Sequence, residues 1–271
     1  MLIANETSIN EYSMSLYRWS RLRSSDFPAP PDAVAVVPVG AVEQHGPHLP
    51  LGTDHLLAEA LAERGAAKAR TARVYLMPAL SLGVSEEHHD WPGTLTLETE
   101  QMIAALMAVA RGVASAGIAK LVFINGHGGN IPALHTAVRR ARIRHDLFAS
   151  TLGWMALGIG DHPEGARIDD IHGGFLETAA MLHLHPDLVD MEKARDFVSA
   201  NRTMAETYTH LRFLGAVSTG WTARDLHAEG VAGNAAAASA EAGKIIVETA
   251  AARLGALFDE IAAHQPDWSA P

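Results

Sequence analysis

Short apolar runs that alternate with helical segments are the feature that most restricts how this chain can fold. Residues 33–39 form a continuous apolar run rich in β-branched side chains, which is typical of a buried strand of a parallel sheet. Residues 120–125 form a second such run, preceded by a segment with helical periodicity. This βαβ alternation predicts a mostly parallel sheet covered by helices on both faces, with the loops that follow the strands gathered at one edge.

Local start and stop signals set the expected elements. Ser8 and Glu11 match a capping box, and they predict a first helix that ends at about Leu22. Residues 158–171 are expected to be irregular, and residues 190–234 follow no clear pattern. The predicted strands are 33–39, 73–80, 120–125 and 147–154, and the predicted helices are about 8–22, 54–68, 98–116, 131–145, 175–184 and 235–264, the last with a candidate break at Gly255.

The size and composition favour one domain that spans residues 1–271. The 271 residues lie within the range that compact α/β domains reach, and neither a repeat nor a linker divides them. Because 48% of the residues are hydrophobic and only 19% are charged, the chain can bury a large core.

Charge and cysteine content exclude several classes of protein. The formal net charge of −10 argues against nucleic acid or an anionic membrane as a general partner, because either would repel most of the surface. The chain has no cysteine, so a metal would have to be held by His, Asp and Glu. With no secretory leader pattern and no apolar stretch of about 18 residues, the expected location is cytoplasmic.

Two motifs place candidate metal ligands at the predicted sheet edge. Glu43 and His45 follow the first buried strand, and their i, i+2 spacing sends both side chains to the same side if the chain stays extended. Asp54 begins the next helix, and the intervening glycines and prolines allow it to fold back toward the pair. His127 follows the strand at 120–125, between glycines that permit unusual backbone geometry. Two separate strand ends therefore deliver ligands to one place.

Two carboxylates and two imidazoles suit Zn²⁺, and also Mn²⁺ or Fe²⁺. Asp54 could bridge two ions about 3.5–4 Å apart, with a metal-activated hydroxide as the nucleophile. Each histidine alone is more often structural, and a glycine-rich turn after a strand could instead hold an anion. The coincidence of two independent segments favours the metal site.

The motifs together resemble the creatininase (creatinine amidohydrolase) family over about residues 30–190. The resemblance is carried, in order, by Glu43-Gln44-His45-Gly46-Pro47-His48-Leu49-Pro50 with Asp54, Glu87-His88 with Trp91-Pro92-Gly93-Thr94, Asn125-Gly126-His127-Gly128-Gly129-Asn130, and His172-Gly173-Gly174-Phe175-Leu176-Glu177-Thr178.

The resemblance implies a three-layer α/β/α fold, a homohexamer and a binuclear metal centre. Carried over by position, Glu43 and His127 would hold one metal ion, His45 would hold the other, and Asp54 would bridge them. His172 stands where the family has its proposed general base, a role suited to an imidazole with a pKa near neutral.

Two positions depart from the creatinine-cleaving members. Those members carry a glutamate two positions after the motif histidine, where this chain has Gly129, and an acidic residue where it has Ile171. Glu177 is the candidate that completes the second metal site, and it is also a candidate catalytic residue; the alternative is that it only caps or pairs within its helix. Ile171 weakens the case for creatinine itself as the substrate.

The resemblance predicts a metal-dependent hydrolase that cleaves a non-peptide C–N bond in a small amide, lactam or formamide. One alternative is a ring-opening hydrolase of a cyclic carbohydrate-derived ketone, and another is a non-catalytic, metal-dependent ligand-binding protein. A metal-dependent phosphatase would need Arg or Lys at the site, and the motifs contain neither. His48 and His88 are open between a supporting role at the site and a structural one, and Trp91 between a pocket wall and the core.

Overall fold

The computed structural model describes residues 16–158, 170–215, 217 and 219–265. Its centre is a five-stranded sheet in the order β1-β3-β2-β4-β5, in which every neighbouring pair of strands is parallel. The predicted parallel sheet is thereby confirmed. The strands are β1 (Leu16–Arg18), β2 (Ala33–Val39), β3 (Arg73–Leu76), β4 (Lys120–Asn125) and β5 (Phe148–Gly153).

Helices cover both faces of this sheet. On one face, α1, α5 and α8 pack over Val34, Val36 and Val122. On the other, α2 and α3 pack over Ala35, Val37 and Phe123, so alternate strand residues serve two separate cores. The helices are α1 (Thr53–Lys68), α2 (Thr99–Ser115), α3 (Ile131–His145), α4 (Trp154–Gly158), α5 (Phe175–Leu184), α6 (Ala200–Thr207), α7 (Ala223–Leu226) and α8 (Ala240–Ala263).

Burial on both faces explains why the two central strands are largely apolar. Every residue of β2 and of β4 is buried. Lys120, the one charged residue of β4, donates from its ammonium group to the carbonyl of Ala262 near the end of α8. Among the described residues, no helix has the length and apolar character needed to cross a membrane.

The predicted first helix is wrong where it can be compared. Its beginning lies outside the described residues, and Leu16–Arg18 form the edge strand β1 instead. Leu16 pairs with Val74, and the ring of Tyr17 stacks on Tyr75 with centroids 4.8 Å apart. Strand pairing and aromatic packing thus outweigh the local helical signal.

Two other boundaries differ from the prediction. Strand β3 ends at Leu76, although Leu80 still forms a single bridge with Val39. The Ala-rich C-terminal stretch contains a short 3₁₀ turn and then α8, which continues through Gly255 without a break. A Cβ atom at Gly255 would lie 2.7 Å from the carbonyl carbon of Lys68, so this glycine permits α8 to approach the end of α1.

The structure describes little of one segment that the sequence left without a clear pattern, residues 158–171, but most of the other, residues 190–234. Most of the passage at 158–171 lies outside the described residues. The later region contains α6, α7 and a two-stranded antiparallel sheet formed by β6 (Asp196–Phe197) and β7 (Gly233–Asn234).

Asp259 offers a test of how α8 is held against the sheet layer. Its carboxylate accepts hydrogen bonds from the backbone N–H groups of Arg70, Thr71 and Ala72 at 2.8–3.0 Å. Partial burial opposes ionisation, but these donors lower the pKa of Asp259 overall. Asp259→Ala is expected to reduce the free energy of unfolding at neutral pH by about 1–2 kcal/mol, measured by urea denaturation.

The effect should depend on pH in a defined direction. Because the folded pKa lies below the unfolded value of about 3.9, the stabilisation is complete well above that value and is lost as the pH falls through the folded pKa. Glu260→Ala, at an exposed neighbour on α8, is the control. Equal losses in the two variants, or a loss that grows on acidification, would contradict this role of Asp259.

Candidate metal centre

The carboxyl ends of β2 and β4 bring four of the predicted ligands together. Glu43 and His45 follow β2, His127 follows β4, and Asp54 lies in the first turn of α1. All four are buried, with exposed fractions between 0% and 5%. A hydrogen bond of 2.8 Å from the N–H of Gly126 to the carbonyl of Val39 holds the two strand ends level.

Asp54 lies between the two motif histidines. Its Oδ1 is 3.1 Å from Nε2 of His45, and its Oδ2 is 3.3 Å from Nδ1 of His127. Nδ1 of His127 is also 3.1 Å from Oε1 of Glu43. One carboxylate thus faces both imidazoles, which is the arrangement that a bridging ligand requires.

In His45 and His127, the ring nitrogen that points away from Asp54, here called the outer nitrogen, forms a hydrogen bond with a backbone carbonyl. Nδ1 of His45 is 3.1 Å from the carbonyl of Glu43, and Nε2 of His127 is 2.8 Å from the carbonyl of Val84. Since a carbonyl only accepts hydrogen bonds, both outer nitrogens carry the proton. In the neutral rings the inner nitrogens therefore point lone pairs at the carboxylates, as in histidines that ligate metals.

Three buried carboxylate oxygens at this place have no hydrogen-bond partner among the described residues: Oε1 and Oε2 of Glu43 and Oδ2 of Asp54. Removing carboxylates from water without partners is costly, and a cation between them would offset that cost. The oxygen and nitrogen donors present fit a divalent ion of the Zn²⁺ or Mn²⁺ type.

His172 and Glu177 reach the same cluster from a third segment. Nε2 of His172 donates to the carbonyl of Gln44 at 2.7 Å, and its Nδ1 is 3.6 Å from Oε1 of Glu43. Glu177, in the first turn of α5, accepts from the N–H of Gly173 at 2.7 Å. The same oxygen is 3.8 Å from Nε2 of His45. Glu177 therefore both caps its turn and faces the cluster, which joins the two interpretations of the sequence.

Gly129, the departure from the creatinine-cleaving pattern, has a steric cause. A Cβ atom there would collide with the carbonyl of Val84 and lie 2.5 Å from Nε2 of His127. Glu87 occupies the adjoining space, with Oε1 3.6 Å from the same nitrogen. This backbone path has no room for a glutamate at 129.

Burial and charge move the pKa values of the cluster in opposite directions. Burial raises the pKa of Glu43, and it raises that of Glu177 to about 8. Burial would lower the pKa of His45, but the carboxylates of Asp54, Glu177 and Glu43 raise it to about 10. Glu43 and Asp54 likewise raise the pKa of His127 well above its usual range, although burial alone would lower it. Without an ion, protons on these two imidazoles balance the carboxylates.

His172 and His88 respond to the site differently. Burial lowers the pKa of His172 well below its usual range and that of His88 to about 3, so both rings are neutral. Nε2 of His88 is 3.4 Å from Oε1 of Glu43, and its ring centroid is 4.4 Å from that of His172. Of the roles left open for His88, the structure places it beside the cluster.

Other motif residues have supporting or peripheral positions. Gln44 contacts both His88 and His172. The sequence did not predict this role, although the position of Gln44 between the candidate ligands Glu43 and His45 would have indicated it. His48 hydrogen-bonds to Thr178 at 2.9 Å and stacks on Phe197, a structural role. Trp91 lies under the guanidinium group of Arg224, 4.1 Å from the ring centroid.

Several characterised proteins are similar in sequence to this chain over more than half of its length. The mycofactocin precursor peptide peptidase of Mycolicibacterium smegmatis is 39% identical over 57% of this chain, but the match covers only 59% of that relative, less than two thirds. The creatinine amidohydrolase of Pseudomonas putida is 32% identical over 61% of this chain and 69% of its own length. The 3-dehydro-scyllo-inosose hydrolase of Thermotoga maritima is 31% identical over 79% and 72% respectively.

Solved creatininase structures share the fold. A creatininase variant complexed with creatine is 27% identical with a TM-score of 0.73, and the match covers 90% of this chain and 98% of that one. A creatininase variant described as the Zn–Zn type is 28% identical with a TM-score of 0.71, over 89% and 97%. The family model for creatininase (creatinine amidohydrolase) matches residues 18–258, and the chain belongs to this family.

Proposed function

We propose that this chain is a metal-dependent hydrolase that cleaves the C–N bond of an amide, lactam or formamide at a binuclear centre. The observation that carries the proposal is the set of buried, unpartnered oxygens on Glu43 and Asp54, which face histidines whose outer nitrogens are already engaged by backbone carbonyls. A centre of this kind has its ligands oriented before an ion binds.

The contacts support a division of the ligands between two ions. Glu43 and His127 would hold one ion, His45 and Glu177 the other, and Asp54, with one oxygen toward each histidine, would bridge them. Zn²⁺ suits this donor set best, and Mn²⁺ and Fe²⁺ also fit. The Zn–Zn type of a related creatininase supports a two-ion centre.

The ions, when bound, supply two effects: they make water a stronger acid and polarise the carbonyl to be attacked. His172 provides the proton transfer. Its Nε2–H is held by the carbonyl of Gln44, so its Nδ1 lone pair faces the cluster. Nδ1 accepts a proton from the attacking water and gives it to the leaving nitrogen, as a C–O bond forms and the C–N bond breaks.

The relatives widen the range of amides that deserve testing. One relative is named a peptidase and another a creatinine amidohydrolase, so amide hydrolysis is common to both names. The restriction to small, non-peptide substrates is the narrower form of the proposal. Ring opening of a cyclic carbohydrate-derived ketone is a second candidate, favoured by the match to the inosose hydrolase over 79% of the chain. A homohexamer and a cytoplasmic location stay predictions from the sequence.

Metal content tests the ligand assignment. Protein purified without chelator is expected to contain two divalent ions per chain by mass spectrometry of the metals, because two ions match the two ligand sets. Glu177→Gln should retain about one ion, since it removes a charged ligand from only one set, and Glu43→Gln should weaken the other site. Glu241→Gln is a matched control, because Glu241 is exposed in the first turn of α8. Two ions retained in Glu177→Gln would remove Glu177 from the site.

Metal binding should release protons. Because nearby carboxylates raise the pKa of His45 to about 10 and that of His127 well above its usual range, an ion must displace protons from both rings. Affinity should therefore rise with pH up to about 10, and the calorimetric heat of binding should differ between buffers of different ionisation enthalpy. Heats that are the same in every buffer, with an affinity independent of pH, would contradict this view of the ion-free centre.

His172→Asn should separate catalysis from metal binding. The variant is expected to keep its ions and lose about 10²–10⁴-fold in the rate of hydrolysis, the usual contribution of a general base. The assay is a panel of formamides, lactams and short peptides, with a cyclic polyol ketone for the second candidate. His135→Asn, at an exposed position on α3, is the control. An ion-loaded wild-type protein that binds members of the panel but turns none over would instead favour the non-catalytic binding protein.

A further inference from the structure

The carboxamide of Gln44 has a single possible orientation. Its Oε1 accepts a hydrogen bond from the N–H of Gly46 at 3.0 Å, and its Nε2 donates to the carbonyl of Gly230 at 2.5 Å. Exchanging the oxygen and nitrogen would place two donors and two acceptors face to face. Backbone groups on both sides thus determine which atom is the nitrogen.

This orientation fixes the tautomer of His88. After the bond to Gly230, Nε2 of Gln44 has one hydrogen left, and it has two nitrogen neighbours: Nδ1 of His88 at 2.8 Å and Nε2 of His172 at 3.3 Å. Nε2 of His172 cannot accept, because it already donates to the carbonyl of Gln44. The hydrogen therefore goes to Nδ1 of His88, and the proton of the His88 ring is on Nε2, the atom that faces Glu43.

Gln44 also fixes the tautomer of His172, but through its backbone carbonyl and not its side chain. The carbonyl of Gln44 takes the Nε2–H of His172, which leaves Nδ1 of the neutral ring as the atom that faces Oε1 of Glu43. His88 and His172 are thus both protonated at Nε2, but one presents its N–H to Glu43 and the other presents a lone pair.

We propose that Gln44 is a positioning residue that gives the two histidines beside Glu43 different roles: His88 turns an N–H group toward Glu43, 3.4 Å away, and His172 turns a lone pair toward it as a proton acceptor. Glu43, His88 and His172 place potential ligand atoms within 4.8 Å of one another, a spacing that would also suit a metal ion. Gln44 argues against that use, because a nitrogen that carries a proton has no lone pair for a metal. His88 instead presents its Nε2–H group to Oε1 of Glu43, the same oxygen that His127 approaches through Nδ1.

The backbone conformation at Gly230 allows its carbonyl to hold the carboxamide of Gln44. Gly230 has a φ of 73°, which favours glycine, and a Cβ atom there would lie 2.6 Å from the ring of Trp91 and 2.8 Å from the carboxamide of Gln44. Gly230 therefore allows the close approach that brings its carbonyl to Gln44.

The catalytic meaning of this arrangement rests on the proposed function, whereas the tautomers rest on hydrogen bonds alone. The test is therefore made on metal-free protein that contains nitrogen-15-labelled histidine. Long-range proton–nitrogen correlations report which ring nitrogen carries the proton, and signals are assigned by their loss in His88→Gln and His172→Gln. The wild type is expected to show His88 and His172 protonated at Nε2. A His88 ring protonated at Nδ1 would overturn the proposal.

Gln44→Glu tests the cause. A carboxylate can only accept, so Nδ1 of His88 should gain a proton, while His172 keeps its Nε2 proton because its partner is a backbone carbonyl. Gln101→Glu is the matched control: Oε1 of Gln101 accepts from the N–H of Glu98 at 2.9 Å, which a carboxylate can replace. An unchanged His88 in folded Gln44→Glu overturns the proposal. If that variant does not fold, the wild-type tautomers decide. Absence of bound metal in untreated protein would remove the proposed function and leave the tautomers untouched.

Discussion

Parallel pairing of β2 with β4 is the interaction on which the rest of the structure depends. The register sets Val39 opposite Asn125, so the two strands end level and their following turns begin side by side. Glycines make the next step possible, because a Cβ atom at Gly40 or Gly126 would collide with the backbone at the start of α1. Helix α1 can therefore begin directly above the strand ends, and Asp54 reaches the turns that carry the other ligands.

The cost of this convergence is a concentration of charge in a buried place. Three carboxylates and four imidazoles are buried together, and they form overlapping groups of three whose ligand atoms lie within 4.8 Å of one another, with His127 joined to them through Glu43. Without an ion, protons on His45 and His127 balance these charges, whereas burial keeps the rings of His88 and His172 neutral. Divalent ions would take the place of those protons, and the same ions would make the site reactive.

The sequence predicted most of the layers and the meeting of the ligands for physical reasons that are local. A strand buried on both faces must be largely apolar, as 33–39 and 121–124 are, and parallel strands gather the loops that follow them at a shared edge. Strand β1 was not predictable in this way, because it depends on the stacking of Tyr17 on Tyr75, far away in the chain. The part played by Gln44 was equally hidden, since its carboxamide is oriented by Gly230, 186 positions later. The sequence could identify Glu177 as a candidate ligand but could not predict its distance to His45, because that distance is set by the packing of α5.

The crowding around Gly129 has a consequence for how the family can vary. One ligand pattern places a glutamate two residues after the motif histidine, whereas in this chain the proposed ligand is Glu177 of α5. Here the carbonyl of Val84 holds the ring of His127 and also fills the space that a side chain at 129 would need. A single substitution cannot therefore convert one pattern into the other, because gaining the new carboxylate would dislodge the histidine beside it. The two patterns are therefore separated by a rearrangement of the backbone around residue 129, and not by the choice of one side chain.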